Sequence, residues 1–147
     1  MSMNSISFHN EGVGTKTPSK RLLKAWIKEF VSNHDKKVGE LAFVFCSDEK
    51  ILEVNQNFLQ HDYYTDIITF DYCEGEIVSG DVFISVERVQ ENALAHGVDY
   101  NTELLRVLAH GVLHLIGLQD KEEKNKIEMT RNEDLCMSLF FTKFTLL

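Results

Sequence analysis

Two histidines, His110 and His114, stand four residues apart in the apolar stretch Leu108-Ala-His-Gly-Val-Leu-His-Leu-Ile-Gly-Leu-Gln-Asp120. On a helix that spacing places both imidazoles on one face, one turn apart. Two imidazoles so placed can share one metal ion, and zinc is the first expectation because imidazole suits it. Gly117 ends the helix, so the chain can turn and bring Asp120 back as a third ligand. Three protein ligands leave a coordination position open, which is the arrangement of a catalytic zinc rather than a structural one. The competing reading is a pair of satisfied core histidines, each needing its own partner once buried, with Asp120 a turn residue. Gly111, between the histidines, costs roughly 1 kcal/mol in a helix against alanine. It therefore serves close packing or access to the metal.

The elements that must carry this stretch can be read on either side of it. A short β alternation over 6–8 precedes a polar loop, and Pro18 with Thr17 as N-cap predicts a helix carrying Leu22, Leu23, Trp26, Ile27, Phe30 and Val31. Lys16, Lys20, Lys24 and Lys28 recur every four residues on another face of it. They form either a solvated face or a stripe that contacts phosphate. A strand over 40–46 follows, then a helix capped by Ser47 or Asp48, a loop over 60–66 and a strand over 67–72. A hairpin turn through Gly75 leads to a strand over 81–86. A helix over 88–96 ends at Gly97, Asp99 or Asn101 caps the histidine helix, and a last helix spans 121–139. The apolar tail after it is expected to dock on the body. Strands alternating with helices predict an α/β (or α+β) fold: one small mixed sheet of about four strands, covered by helices, in a single domain over 1–147.

The 147 residues suffice for a real core, and with 44% hydrophobic residues disorder is not expected. No apolar run approaches a membrane span, and the first ten residues lack a secretory pattern. Cys46, Cys73 and Cys136 are odd in number and set in apolar contexts, reading as thiols of a reducing compartment. The expected location is the cytoplasm, with no membrane partner. The net charge of −8 argues against nucleic-acid binding by the whole surface. It is uneven, however: residues 16–37 hold seven Lys/Arg and two Asp/Glu, so a polyanion would meet a local patch. No glycine-rich phosphate loop is present, so no nucleotide cofactor is expected.

Three ordered stretches resemble the YbeY family of bacterial metal-dependent endoribonucleases, which act in ribosomal RNA maturation. His110-Gly-Val-Leu-His114-Leu-Ile-Gly117-Leu-Gln-Asp120 is similar to the family's H-G-x-L-H-L-x-G-x-D-H. Thr65-Asp-Ile-Ile-Thr-Phe70 is similar to its T-D-V-L-S-F, and Gly80-Asp-Val-Phe-Ile-Ser85 to its G-D-I-x-I-S. Glu103 and Met129 also fall where the family has them, and the resemblance spans about residues 52 to 137. Two departures stand out. Without a gap the family's third histidine falls on Asp120; with one inserted residue it falls on Lys121, whose ammonium has no lone pair to give. Asp120 is thus the expected third ligand under both alignments, unless a distant residue supplies it. The family's arginine shortly before T-D-x-x-x-F is Leu59 here, with Lys50 and His61 nearby in sequence.

The resemblance implies a hydrolase cutting single-stranded RNA, with a partner in the small ribosomal subunit and a role in ribosomal RNA maturation and ribosome quality control. A metal lowers the pKa of bound water toward about 7 and polarises a phosphoryl oxygen, so it can do much of that work itself. Zinc is expected, with manganese or magnesium as alternatives that the Asp120 carboxylate favours. Asp66, Asp71 and Asp81 sit near strand ends, where they orient ligands or simply cap turns. Two other readings stand beside this one. The first is an assembly factor whose metal only holds the fold. The second is a zinc peptidase, which must do without the glutamate of H-E-x-x-H because Gly111 occupies its position.

Overall fold

The computed structural model describes residues 5–59 and 65–144. Four strands, β1 (Ser5–Asn10), β2 (Lys37–Cys46), β3 (Ile67–Asp71) and β4 (Ile77–Ser85), form one sheet in the order β1-β2-β4-β3. The first three neighbours are parallel and β3 runs antiparallel to β4, so the sheet is mixed, as the sequence predicts. The β3–β4 hairpin turns at Gly75, whose φ of 56° is the left-handed conformation expected there. Both β2 and β4 begin earlier than the sequence pattern suggests, because Lys37–Glu40 and Ile77–Gly80 alternate weakly yet still join the ladder.

Helices α1 (Lys20–Asn33), α4 (Tyr100–Ile116) and α5 (Glu123–Leu139) bury the main core with one face of the sheet. Leu41, Phe43 and Phe45 of β2 face Leu23, Trp26 and Ile27 of α1 and Leu104, Leu108 and Val112 of α4 in that core. The Trp26 indole N–H donates to the Cys136 carbonyl at 2.7 Å, so the ring's polar atom is satisfied in the interior. Helix α2 (Asp48–Val54), capped by Ser47, covers part of the other face with Ile51 and Val54 against Cys46 and Ile68. Helix α3 (Val86–His96) ends at Gly97 in the left-handed conformation. The described part of the tail docks, with Phe140 and Phe144 buried, and residues 145–147 lie outside the described residues.

The first helix starts later than the sequence suggests. Ser19, not Thr17, is its N-cap, with the hydroxyl accepting from the Leu22 N–H at 3.4 Å. Serine is at least as good a cap as threonine, and it leaves Pro18 just outside the helix. Lys16 precedes either cap and lies off the helix, so the stripe on α1 is Lys20, Lys24 and Lys28, all exposed. Among the described residues none of Lys16, Lys20, Lys24 and Lys28 pairs with a carboxylate. Residues 60–64 of the expected 60–66 loop, His61 among them, lie outside the described residues.

Gly111 is a packing residue. A Cβ at this position would lie 2.8 Å from Ile67 Cδ1 and 3.2 Å from Val82 Cγ1, so α4 sits on β3 and β4 with no room for a side chain. The same geometry aims position 111 into the sheet and away from the histidine face. Gly111→Ala should lower stability by about 1 kcal/mol in urea unfolding. Overpacking costs about 1–3 kcal/mol, and roughly 1 kcal/mol of helix propensity offsets it. A stabilised variant would show that this seam has slack.

Candidate metal centre

His110 and His114 project from the C-terminal half of α4 with parallel rings, 6.3 Å between centroids and 4° between planes. An apolar face fixes the helix: Ala109, Val112 and Leu113 are buried in the core, while His110 is half-buried and His114 exposed. The helix ends where the sequence places its end. Gly117 adopts φ 125°, and the Leu118 N–H reaches back to the Leu113 carbonyl at 3.1 Å, closing the last turn. That turn serves both histidines. It brings the Leu118 carbonyl within 3.1 Å of His114 Nδ1 and Asp120 Oδ2 within 3.2 Å of His110 Nε2.

Glu133 could not be found from the sequence. It lies on α5, 6% exposed, with Oε2 at 2.7 Å from His110 Nδ1 and Oε1 at 3.0 Å from Arg106 Nη1. Arg106 also donates to Asp134 Oδ1 at 2.9 Å. Arg106, His110 and Glu133, together with Asp66, Glu103, Val107 and Asp120, line a hollow of about 280 Å³. Glu103 is buried at 4% exposure and meets His96 Nδ1 at 2.9 Å. Larger hollows exist elsewhere on the surface, around Ala42, around Tyr100 and beside His34, but none of them is lined by both a histidine and a carboxylate.

In the hollow the carboxylates of Glu133 and Asp120 flank the two ring nitrogens of His110. Burial works against a charged His110, but the hydrogen bond and charge of Glu133, with Asp120 and Asp66 behind it, win and raise its pKa above the usual histidine value. Burial likewise pushes the Asp66 carboxyl up, and its oxygen accepts from the Asn92 amide at 3.3 Å. Asp66 therefore takes a proton more readily than an exposed aspartate. Asp71, by contrast, is held low by the Cys73 backbone N–H that caps it, the turn role expected of it. Asp81 lies on β4 and accepts from the Tyr72 hydroxyl at 3.3 Å. Burial lifts the Cys46 and Cys136 thiols to about 12, so neither is a reactive group.

The donor set fits a divalent transition metal. Each histidine has Nδ1 occupied, one by a carboxylate and one by a backbone carbonyl, which is how metal-ligating histidines are usually held with Nε2 presented. A carboxylate, Asp120, stands at the Nε2 of one of them. Among the described residues no three such side chains are gathered tightly enough to clasp an ion as they stand. Leu59, at the position of the family arginine, is partly exposed and apolar. Lys50 does not stand in for it: its ammonium is engaged by Glu11 at 3.2 Å and Glu53 at 3.6 Å.

A mixed four-stranded sheet with two histidines on one helix and a carboxylate in the following turn defines a small α/β protein with a candidate metal centre at the helix end. The chain belongs to the YbeY family: residues 6–140 match the family described as "Endoribonuclease YbeY". It is 49% identical to the Endoribonuclease YbeY of Bacteroides thetaiotaomicron over 134 residues, 90% of this chain and 98% of that one. Against the protein of the same name from Phocaeicola vulgatus the identity is 51%, over 90% of this chain and 97% of the relative. A solution structure from Thermotoga maritima superposes with a TM-score of 0.65 at 30% identity, covering 91% of this chain and 87% of that one. No helix among the described residues is long and apolar enough to cross a membrane.

Proposed function

We propose that this protein is a metal-dependent endoribonuclease that cuts single-stranded RNA in ribosomal RNA maturation and ribosome quality control, in the cytoplasm and at the small ribosomal subunit. The observation that carries the metal reading is the pair of His110 and His114 with both Nδ1 atoms tied back and Asp120 at hand. His110, His114 and Asp120 would hold one zinc ion, with manganese or magnesium as alternatives. Bound there, the ion would act as a Lewis acid on a phosphoryl oxygen. The chain's own contribution is to fix both imidazoles and to meet the RNA backbone with the lysines of α1. Family membership supports the RNA substrate. The packing of Gly111 speaks against a peptidase, because a glutamate there would point into the sheet.

The test is metal content together with cleavage of single-stranded RNA, duplex RNA, DNA and casein, before and after chelation. About one ion per chain is expected, with cleavage of single-stranded RNA alone, lost on chelation and restored by zinc. A chelated protein that still cleaves RNA would refute the metal reading. A metal-loaded protein that cleaves nothing would favour an assembly factor.

The lysines of α1 give a separate check. Lys20→Glu with Lys24→Glu should weaken binding to single-stranded RNA. It should also flatten the plot of log K against log salt by about 1.4, roughly 0.7 for each phosphate no longer neutralised. An unchanged slope would leave the stripe as a solvated face.

A further inference from the structure

Glu133 is a buried carboxylate on α5, and buried carboxylates persist only when paired and hydrogen-bonded. Its two oxygens are divided between two residues of α4: Oε2 faces His110 Nδ1 at 2.7 Å and Oε1 faces Arg106 Nη1 at 3.0 Å. Arg106 stands four residues before His110, so both side chains leave the same face of α4 toward α5. The second terminal nitrogen of the guanidinium goes to Asp134, the next residue of α5, at 2.9 Å. The planar fork of arginine can lock two neighbouring carboxylates in this way, whereas a lysine offers only a point charge.

We propose that Arg106 and Glu133 are positioning residues for His110: Arg106 fixes the Glu133 carboxylate, and Glu133 holds the imidazole as the Nδ1–H tautomer with its Nε2 lone pair presented. This rests on the reading of His110 as a metal ligand. A neutral imidazole has one lone pair, and the partner of one nitrogen decides which nitrogen carries it. The Glu133 carboxylate at 2.7 Å can only accept, so Nδ1 keeps its proton, and the proton that Nε2 directs at Asp120 at 3.2 Å is the one a metal would displace. Two other roles fit less well. Arg106 as a phosphate binder would have to release Glu133 and Asp134, which already neutralise it. Glu133 as a fourth ligand would have to abandon both His110 and Arg106.

The experiment measures zinc affinity by chelator competition in the full chain, with nitrogen NMR of the His110 ring in the zinc-loaded protein. Wild type and His114→Ala establish the underlying reading; if wild type binds no zinc, or binds it regardless of His114, that reading fails. Given a His114-dependent site, Glu133→Gln should weaken zinc about 10–100-fold, the usual cost of losing such a partner. The hydrogen-bonded Nδ1–H resonance of wild type should shift or vanish in the same variant. Arg106→Lys should lie between wild type and Arg106→Ala. The pair Arg106→Met with Glu133→Gln removes both charges together, so a variant left with one buried charge does not decide the matter through misfolding. It should fold and still bind zinc weakly. Wild-type affinity and an unchanged Nδ1–H signal in Glu133→Gln or in the double variant would overturn the positioning role while leaving the metal site intact.

Discussion

Replacing His114 with alanine should reduce zinc affinity by more than about 100-fold, beyond the 10–100-fold typical of outer partners, and take RNA cleavage to background. His114 is the cleaner of the two histidines to remove. It is exposed, and its Nδ1 bonds to the Leu118 carbonyl at 3.1 Å. Losing a bond of that kind costs about 1 kcal/mol, and alanine suits a helix well. The chelated variant should therefore unfold close to the chelated wild type. His110 is different, because removing it strands the buried Glu133 carboxylate beside Arg106 and confounds metal loss with misfolding. Inductively coupled plasma analysis of both proteins, with cleavage of a single-stranded RNA, decides the matter. Full metal occupancy in His114→Ala would remove His114 from the site.

The part of this centre that local chemistry dictates is legible in the sequence alone. Spacing puts the two histidines on one face, the glycine after Ile116 ends the helix, and the turn returns Asp120 to His110. Those are contacts within about ten residues, governed by helix geometry and by one positive φ. The sheet is legible for a similar reason, since the runs of β2 and β3 are short and rich in β-branched and aromatic residues. Glu133 is not legible. It sits 23 residues beyond His110 in a helix with a weakly apolar face, and nothing in its neighbourhood distinguishes it from Glu128 or Asp134. Only the packing of α4 on α5 reveals which acid turns inward. The early starts of β2 and β4 are hidden as well. Lys37, Gly39 and Ser79 carry no β signal of their own, yet Ser79 accepts from the Glu40 N–H at 3.0 Å across the ladder. The lysine stripe is one member shorter on the helix than its spacing suggests, because Lys16 precedes the residues that can cap it.

Asp120 should prove to be the third ligand, and its removal should cost zinc affinity nearly as much as loss of a histidine. Its carboxylate lies 3.2 Å from His110 Nε2, and its side chain is 37% exposed. An exposed pair of this kind contributes at most about 1 kcal/mol to stability. Asp120→Ala should therefore keep the fold and lose the metal, the signature of a ligand rather than of a structural residue. The carboxylate also carries a charge and is harder than imidazole, so the wild-type site should tolerate manganese better than a site of three histidines. Asp120→His should retain zinc, because the turn after Gly117 is set by backbone hydrogen bonds and not by the Asp120 side chain. It should bind manganese more weakly relative to zinc than wild type does, since imidazole favours the softer ion. Competitive titration of zinc and manganese into wild type, Asp120→Ala and Asp120→His measures both effects. Wild-type zinc affinity in Asp120→Ala would place the third ligand elsewhere. A manganese-to-zinc ratio that does not fall in Asp120→His would refute the argument from ligand hardness even with Asp120 at the metal.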